Sequence, residues 1–125
     1  MTSRQFAQIF GAIYLIVGIL GFIPSLVTSG ALFGIFPINY LHDCVHIILG
    51  IWGLASAGSM ARAVLFARAF AVILLVLGIY GLFGWSSPLP TDSLVPLGGN
   101  DSLLHLASGV IAAYFGWGAP SKALA

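Results

Sequence analysis

Residues 64–85 read VLFARAFAVILLVLGIYGLFGW, an apolar run that contains one charged side chain, Arg68. A helix of about 20 apolar residues is long enough to cross the hydrocarbon core of a bilayer, so this run predicts a transmembrane helix. Three other apolar runs lead us to predict the same structure elsewhere in the chain. The four predicted spans are Phe6 to Val27, about Tyr40 to Gly58, Val64 to Trp85, and about Ser102 to Trp117.

The composition argues against a soluble fold. The 125 residues are 60% hydrophobic and 6% charged, whereas an ordinary soluble domain has about 25% charged residues. A soluble fold with so few charges would expose large apolar patches and aggregate. We therefore expect a single four-span domain over residues 1–125, with the lipid bilayer as its main partner. The few basic residues are scattered, which argues against a nucleic acid as partner.

The charged residues predict how the spans are oriented. Lys and Arg near the ends of spans are retained in the cytoplasm, so we expect the N-terminus and the C-terminus on the cytoplasmic side. This layout has the basic residues Arg4, Arg62, Arg68 and Lys122 inside, and the acids Asp43, Asp92 and Asp101 outside. Alternatively, the first run is a cleaved signal peptide, but its length and its recurrence later in the chain favour a retained span.

Corresponding residues in the two halves of the chain indicate an internal duplication. Spans one and three match at a constant offset of 60, through Phe6, Phe10, Gly18 and Gly21 on one side and Phe66, Phe70, Gly78 and Gly81 on the other. Spans two and four match at an offset of 59, through Pro37, His46 and Gly50 against Pro96, His105 and Gly109. We predict two parallel helical hairpins, at about 4–58 and 64–117, related by a pseudo-twofold axis along the membrane normal.

Small residues repeat at helical spacing along each predicted span. Helices in lipid associate by close backbone approach over small residues, because no hydrophobic force draws them together. We therefore predict an all-α, polytopic membrane four-helix bundle, with spans two and four facing each other near the pseudo-axis. The glycines predicted to pack between helices are Gly18, Gly21, Gly50, Gly53, Gly78, Gly81, Gly109 and Gly116.

Four side chains form a predicted polar cluster near the outer ends of spans two and four. His42 and His46 are four residues apart in span two, and Asp101 and His105 are four apart in span four. Residues with this spacing share one face of a helix. If the two faces meet, all four side chains converge one to two helical turns below the outer surface.

Three interpretations of this cluster are open from the sequence. The histidines hydrogen-bond between helices, as buried polar groups in bundles commonly do. Alternatively, His42, His46, Asp101 and His105 hold a transition metal such as zinc or copper. In the third interpretation His46 and His105 hold a b-type haem or a related pigment, which requires a flat slot between the helices. Asp101 is also placed to cap the fourth helix.

No enzyme signature stands out in the sequence. There is no Gly-rich phosphate loop and no C-x-x-C motif, and Cys44 falls on the side of its helix away from His42 and His46. We therefore predict a non-enzymatic accessory or scaffold protein that binds a membrane protein or a second copy of itself. The alternative prediction is a metal- or haem-binding membrane protein.

The outer loops differ in composition. The apolar stretch Ala31 to Ile38 is too short to span, so we expect it at the interface or folded over the outer end of the bundle. Asn39 is placed to cap span two. Residues 86–100 are rich in Pro, Ser and Gly and predict an irregular loop.

The stretch LFGIFPINYLHDCVHIILG at residues 32–50 resembles a bacterial family of small four-span membrane proteins, the domain of unknown function DUF4383. The resemblance extends over nearly the whole chain, including the Phe-Ala-Arg sequence at residues 66–68 and the Leu-His pair at 104–105. It implies a multi-pass protein of the bacterial inner membrane. It implies no activity, substrate or cofactor.

Overall fold

The structure, a computed structural model, describes residues 1–28, 31–37, 40–83 and 100–118. Four α-helices, one small sheet and a 3₁₀ turn make up the regular structure of these residues. The helices are α1 (Ser3–Leu20), α2 (Tyr40–Ser56), α3 (Met60–Phe83) and α4 (Asn100–Trp117). We call the end that contains Ser3, Ser56, Met60 and Trp117 the inner end, and the opposite end the outer end.

Local sequence signals explain where α1 begins and ends. At its start, the hydroxyl of Thr2 accepts a hydrogen bond from the amide of Gln5 at 3.2 Å, and the Gln5 side chain accepts one from the amide of Thr2 at 2.8 Å. Helix α1 ends at Leu20, whereas the apolar run predicted a span to Val27. The difference arises because Pro24 cannot continue a helical hydrogen-bond ladder and restricts the residue before it.

The first outer loop folds into a small antiparallel sheet. After a single 3₁₀ turn at Pro24–Leu26, strands β1 (Val27–Thr28), β2 (Ala31–Leu32) and β3 (Phe36–Pro37) pair in the order β1-β2-β3. Leu32 pairs with Val27 and Phe36, and its side chain is buried. Strand β3 lies beside α4, so the loop contacts the second half of the chain.

Glycines set the spacing within the first hairpin, where α1 lies against α2. A Cβ placed on Gly50 would lie 2.5 Å from the backbone nitrogen of Leu15 and 2.7 Å from the carbonyl oxygen of Gly11. A Cβ on Gly18 would lie 2.7 Å from Cγ1 of Ile47. Because the close neighbours include backbone atoms, no larger residue fits at Gly50 without separating the two helices.

The second hairpin, α3 against α4, repeats these contacts. A Cβ on Gly109 would lie 2.8 Å from Cγ of Leu75, and one on Gly78 would lie 2.7 Å from Cγ of Leu106. These pairs are related to Gly50–Leu15 and Gly18–Ile47 by the offsets of 59 and 60 read from the sequence. The close contacts of these four glycines therefore lie within each hairpin.

Three of the four other predicted packing glycines also contact the partner helix of their hairpin, and Gly53 is equally close to Cζ of Phe66 in α3. A Cβ on Gly53 would lie 2.9 Å from Cα of Gly11, and one on Gly116 would lie 3.0 Å from the backbone nitrogen of Arg68. A Cβ on Gly21 would overlap the carboxylate of Asp43. Gly81 is buried in α3.

Phenylalanines join the two hairpins, and they come mainly from α1 and α3. The Phe6 ring lies 6.2 Å from Phe66 and 6.0 Å from Phe70, and Phe10 lies 6.4 Å from Phe70, measured between ring centroids. We expected spans two and four to face each other along the centre. Instead α1 and α3 make the closer backbone contact between the halves. The reason is that the glycines bring helices together inside each hairpin, while the large aromatic rings fill the space between hairpins.

Polar contacts tie the helix ends together at the inner end. The Ser3 hydroxyl donates to the carbonyl of Phe115 at 2.7 Å, and Arg4 Nε donates to the carbonyl of Ala57 at 2.8 Å. Arg68 Nε donates to the carbonyl of Gly116 at 2.7 Å. The arginines therefore bind carbonyl groups that lack a helical partner at the C-terminal ends of α2 and α4.

Two of the helices are long and apolar enough to cross a membrane, Ser3–Leu20 and the segment Met60–Leu82 of α3. The segment Ser102–Trp117 of α4 is apolar but shorter. The outward faces of all four helices carry exposed large apolar side chains, among them Ile16, Ile48, Leu65, Val76 and Val110. Polar side chains occur in the interior, including Ser3, His42, Asp43, His46, Ser56, Ser102, His105 and Ser108.

Candidate metal centre

Three histidines meet near the outer end. His42 and His46 come from α2 and His105 from α4, and their side chains are 2%, 4% and 2% exposed. The ring centroids are 4.3 Å apart for His42 and His46, 6.1 Å for His42 and His105, and 6.5 Å for His46 and His105. One nitrogen from each ring lies within 4.8 Å of the other two.

Helical spacing explains this convergence. His42 and His46 are one turn apart on the same face of α2, near its first residue, Tyr40. His105 lies in the second turn of α4, which begins at Asn100. Each histidine is thus one to two turns from the outer end, and α2 and α4 contribute side chains at the same depth.

Several predicted features lie outside the described residues. The side chain of Asp101 is one of them. The structure therefore brings together three of the four predicted ligands, and the fourth lies outside the described side chains. The predicted cap at Asn39, the loop over residues 86–99, Trp85 and Lys122 also fall there.

The hydrogen bonding of the cluster is incomplete within the described part of the chain. Both ring nitrogens of His46 and Nδ1 of His105 are buried and have no hydrogen-bond partner there. A buried polar atom without a partner costs about 1–3 kcal/mol, and such atoms mark places where a ligand, water or ion is bound. Buried imidazole nitrogens without a hydrogen-bond partner among the described residues, such as those of His46, can supply ligands to a metal ion.

The geometry suits a small ion better than a macrocycle. Three imidazoles with an open fourth position form the ligand set of catalytic zinc sites, with zinc–nitrogen distances of about 2.0–2.1 Å. The three nitrogens lie within 4.8 Å of one another. Small changes in side-chain torsion would bring each of them to zinc-binding distance from one shared ion. The His42 ring stands beside both His46 and His105, in the space that a flat haem between those two rings would occupy.

Two buried residues beside the cluster were not singled out from the sequence. The Tyr14 ring packs edge-on against His46, with centroids 5.2 Å apart. Tyr14 could have been found, because it continues the three- and four-residue spacing of Gly11 and Gly18 along α1. Asp43 is fully buried, and neither carboxylate oxygen has a hydrogen-bond partner among the described residues. No spacing signal distinguished it.

A cavity of about 400 Å³ lies between α1 and α4 and reaches His46. Its walls are apolar, with Ile13 and Val17 on the α1 side and Leu104 and Ile111 on the α4 side. The three-histidine cluster is therefore adjacent to a ligand-sized space.

Together, the fold and the site define a small helical protein with an apolar exterior and a buried three-histidine cluster near one end. The chain belongs to the family described as Domain of unknown function (DUF4383), whose model matches residues 4–118. This confirms the resemblance carried by residues 32–50, and the family description names no activity. No significant match was found among curated proteins or among solved structures.

Proposed function

We propose that this protein is a four-span integral membrane protein. The distribution of side chains supports this, since the outward faces of the helices are apolar while polar side chains are inside. A water-soluble protein of this size would leave large apolar patches exposed to solvent. In a bilayer the same surface is solvated by lipid, and the histidines and serines are kept away from the hydrocarbon.

The proposed domain consists of two parallel hairpins, α1–α2 and α3–α4, with both termini in the cytoplasm of a bacterial cell. The glycine contacts that recur at offsets of 59 and 60 support the duplication. Arg4 and Arg68 lie at the inner end, and Asp43 lies near the outer end. The positive-inside rule therefore places the inner end in the cytoplasm.

The topology can be tested with single cysteines in a Cys44→Ser background. Ser25→Cys lies in the first outer loop, and Ala61→Cys lies at the inner end of α3; both positions are exposed. We expect a membrane-impermeant maleimide to label Ser25→Cys in intact cells. The same reagent should label Ala61→Cys only after the cells are permeabilised. The opposite pattern would reverse the orientation, and labelling of both in intact cells would contradict the single span, α2, that separates the two positions.

The proposed biochemical role is binding of one transition metal ion, with zinc as the best fit, by His42, His46 and His105. The observation that carries it is the approach of one nitrogen from each buried ring to within 4.8 Å of the other two. If the histidines were purely structural, we would expect the rings to hydrogen-bond to neighbouring groups. The nitrogens of His46 have no hydrogen-bond partner among the described residues, which favours the metal instead.

Purified protein in mild detergent provides the test. We expect elemental analysis to find one zinc ion per chain after incubation with zinc and removal of the excess. We also expect cobalt, a spectroscopic substitute for zinc, to give the visible absorption of a tetrahedral site that disappears when zinc is added. Absence of bound metal would refute the proposal, and a Soret band would favour the haem alternative.

A role as an accessory or scaffold protein stays a prediction. It requires a membrane protein partner or a second copy of the chain, which would pack on the apolar perimeter. Cross-linking in native membranes would test it, and a metal-binding site is compatible with either outcome.

A further inference from the structure

The cavity between α1 and α4 is formed by the way the two hairpins meet. At the inner end the two helices touch, where the Phe6 and Phe115 rings stack with centroids 5.1 Å apart. Farther out, the space of about 400 Å³ separates the helices. Small-molecule sites in proteins have volumes of roughly 300–1,000 Å³, so the space is large enough for a ligand.

The cavity opens to the perimeter of the molecule. Ile13, Leu104 and Ile111 line it and are also exposed on the outward surface. In the proposed bilayer this opening faces the hydrocarbon of the lipids. A ligand would therefore enter sideways from the membrane, and part of it must be apolar.

The buried end of the cavity is polar but uncharged. His46 lies there with two buried nitrogens that have no partner in the described part of the chain. Among the described side chains, no Asp, Glu, Lys or Arg lines the cavity, so a phospholipid phosphate or an ammonium group would find no counter-charge there. The matching head group is neutral and accepts a hydrogen bond, because a neutral imidazole carries one N–H donor.

Aromatic side chains in the cavity wall further restrict the class of ligand. Phe10 and Tyr14 form part of the wall on the α1 side, and flat rings pack favourably against such side chains. We propose that the cavity binds a lipid-soluble quinone. One ring carbonyl accepts a hydrogen bond from His46, and the apolar tail extends between α1 and α4 into the bilayer.

This inference rests on the proposed membrane location, and it shares His46 with the proposed metal site. The test therefore uses chelator-treated, metal-free protein in nanodiscs of an uncharged phosphatidylcholine, titrated with decylubiquinone by calorimetry. We expect saturable binding of one quinone per chain. Decylbenzene, which has the same tail and no carbonyl, should bind at least tenfold more weakly.

Two variants locate the binding site. Ala107 lines the cavity from α4 and is exposed, so Ala107→Phe should fill the space and weaken binding at least tenfold. His46→Phe preserves apolar volume, removes the donor and should have a similar effect. The matched control is Ala55→Phe on the exposed face of α2, which should bind as the wild type does.

Each of three titration results would overturn the proposal. They are uptake of decylubiquinone no greater than in empty nanodiscs, equal binding of decylbenzene, and wild-type affinity in Ala107→Phe. Co-purification of a phospholipid that decylubiquinone cannot displace would also refute it. Since the protein is metal-free throughout, absence of zinc binding would leave these outcomes unchanged.

Discussion

The variant His105→Ala should lower zinc affinity by at least about 100-fold. Replacing groups that merely orient zinc ligands already costs 10- to 100-fold in affinity, and His105 is the proposed ligand from α4. Without it, His42 and His46 remain as two ligands on one helix, which is too few for a closed or catalytic zinc site. A competition titration with a chromophoric zinc chelator would measure the effect.

The matched control for this experiment is Leu103→Ala. Leu103 is two residues earlier on α4 and is exposed on the perimeter, so its truncation leaves the cluster intact. We expect its zinc affinity to equal that of the wild type. Equal affinity in His105→Ala would show that zinc binds elsewhere and would contradict the three-histidine site.

The second large effect is expected from Gly50→Ala. In an ordinary helix this change stabilises, by roughly 0.5–1 kcal/mol. Here the new Cβ would lie 2.5 Å from the backbone nitrogen of Leu15, so α1 and α2 must separate. Overpacking of this kind costs about 1–3 kcal/mol. We expect the free energy of unfolding to fall by about 2 kcal/mol, as measured by titration of mixed micelles with a denaturing detergent.

Two glycines provide graded controls. At the corresponding position of the second hairpin, Gly109→Ala would first meet the side chain of Leu75 at 2.8 Å, with its backbone nitrogen at 3.1 Å. A side chain can move, so the loss should be smaller than for Gly50→Ala. Gly58→Ala would meet the flexible end of Arg62 at 3.0 Å and should be nearly neutral. Stabilisation by Gly50→Ala would contradict the close helix contact.

The helices could be predicted from the sequence because apolar runs and helix-ending residues are local signals. The predicted starts and ends of the helices differ from the observed ones by a few residues where a short-range contact sets the helix boundary. Helix α3, for example, begins at Met60 rather than Val64 because the Ser59 hydroxyl accepts a hydrogen bond from the amide of Arg62 at 3.2 Å. The short sheet of the first outer loop had no such signal, since its strands are two residues long.

The candidate site was predicted in part. His42 and His46 share a helical face by spacing alone, and the internal repeat placed His105 at the same depth. Tyr14 and the cavity were missed. The repeat could not reveal them, because the residue of α3 that corresponds to Tyr14 is Leu74, and the cavity depends on how two hairpins meet.

The sequence by itself determined the helical class and the family, and it predicted glycines at the helix contacts, because each follows from residue type and spacing along one segment. Tertiary structure decided which helices these glycines join. It also decided that phenylalanines connect α1 with α3 and that a cavity separates α1 from α4. The physical reason is that side-chain volume is shared among segments distant in the chain, so their packing follows from no single segment.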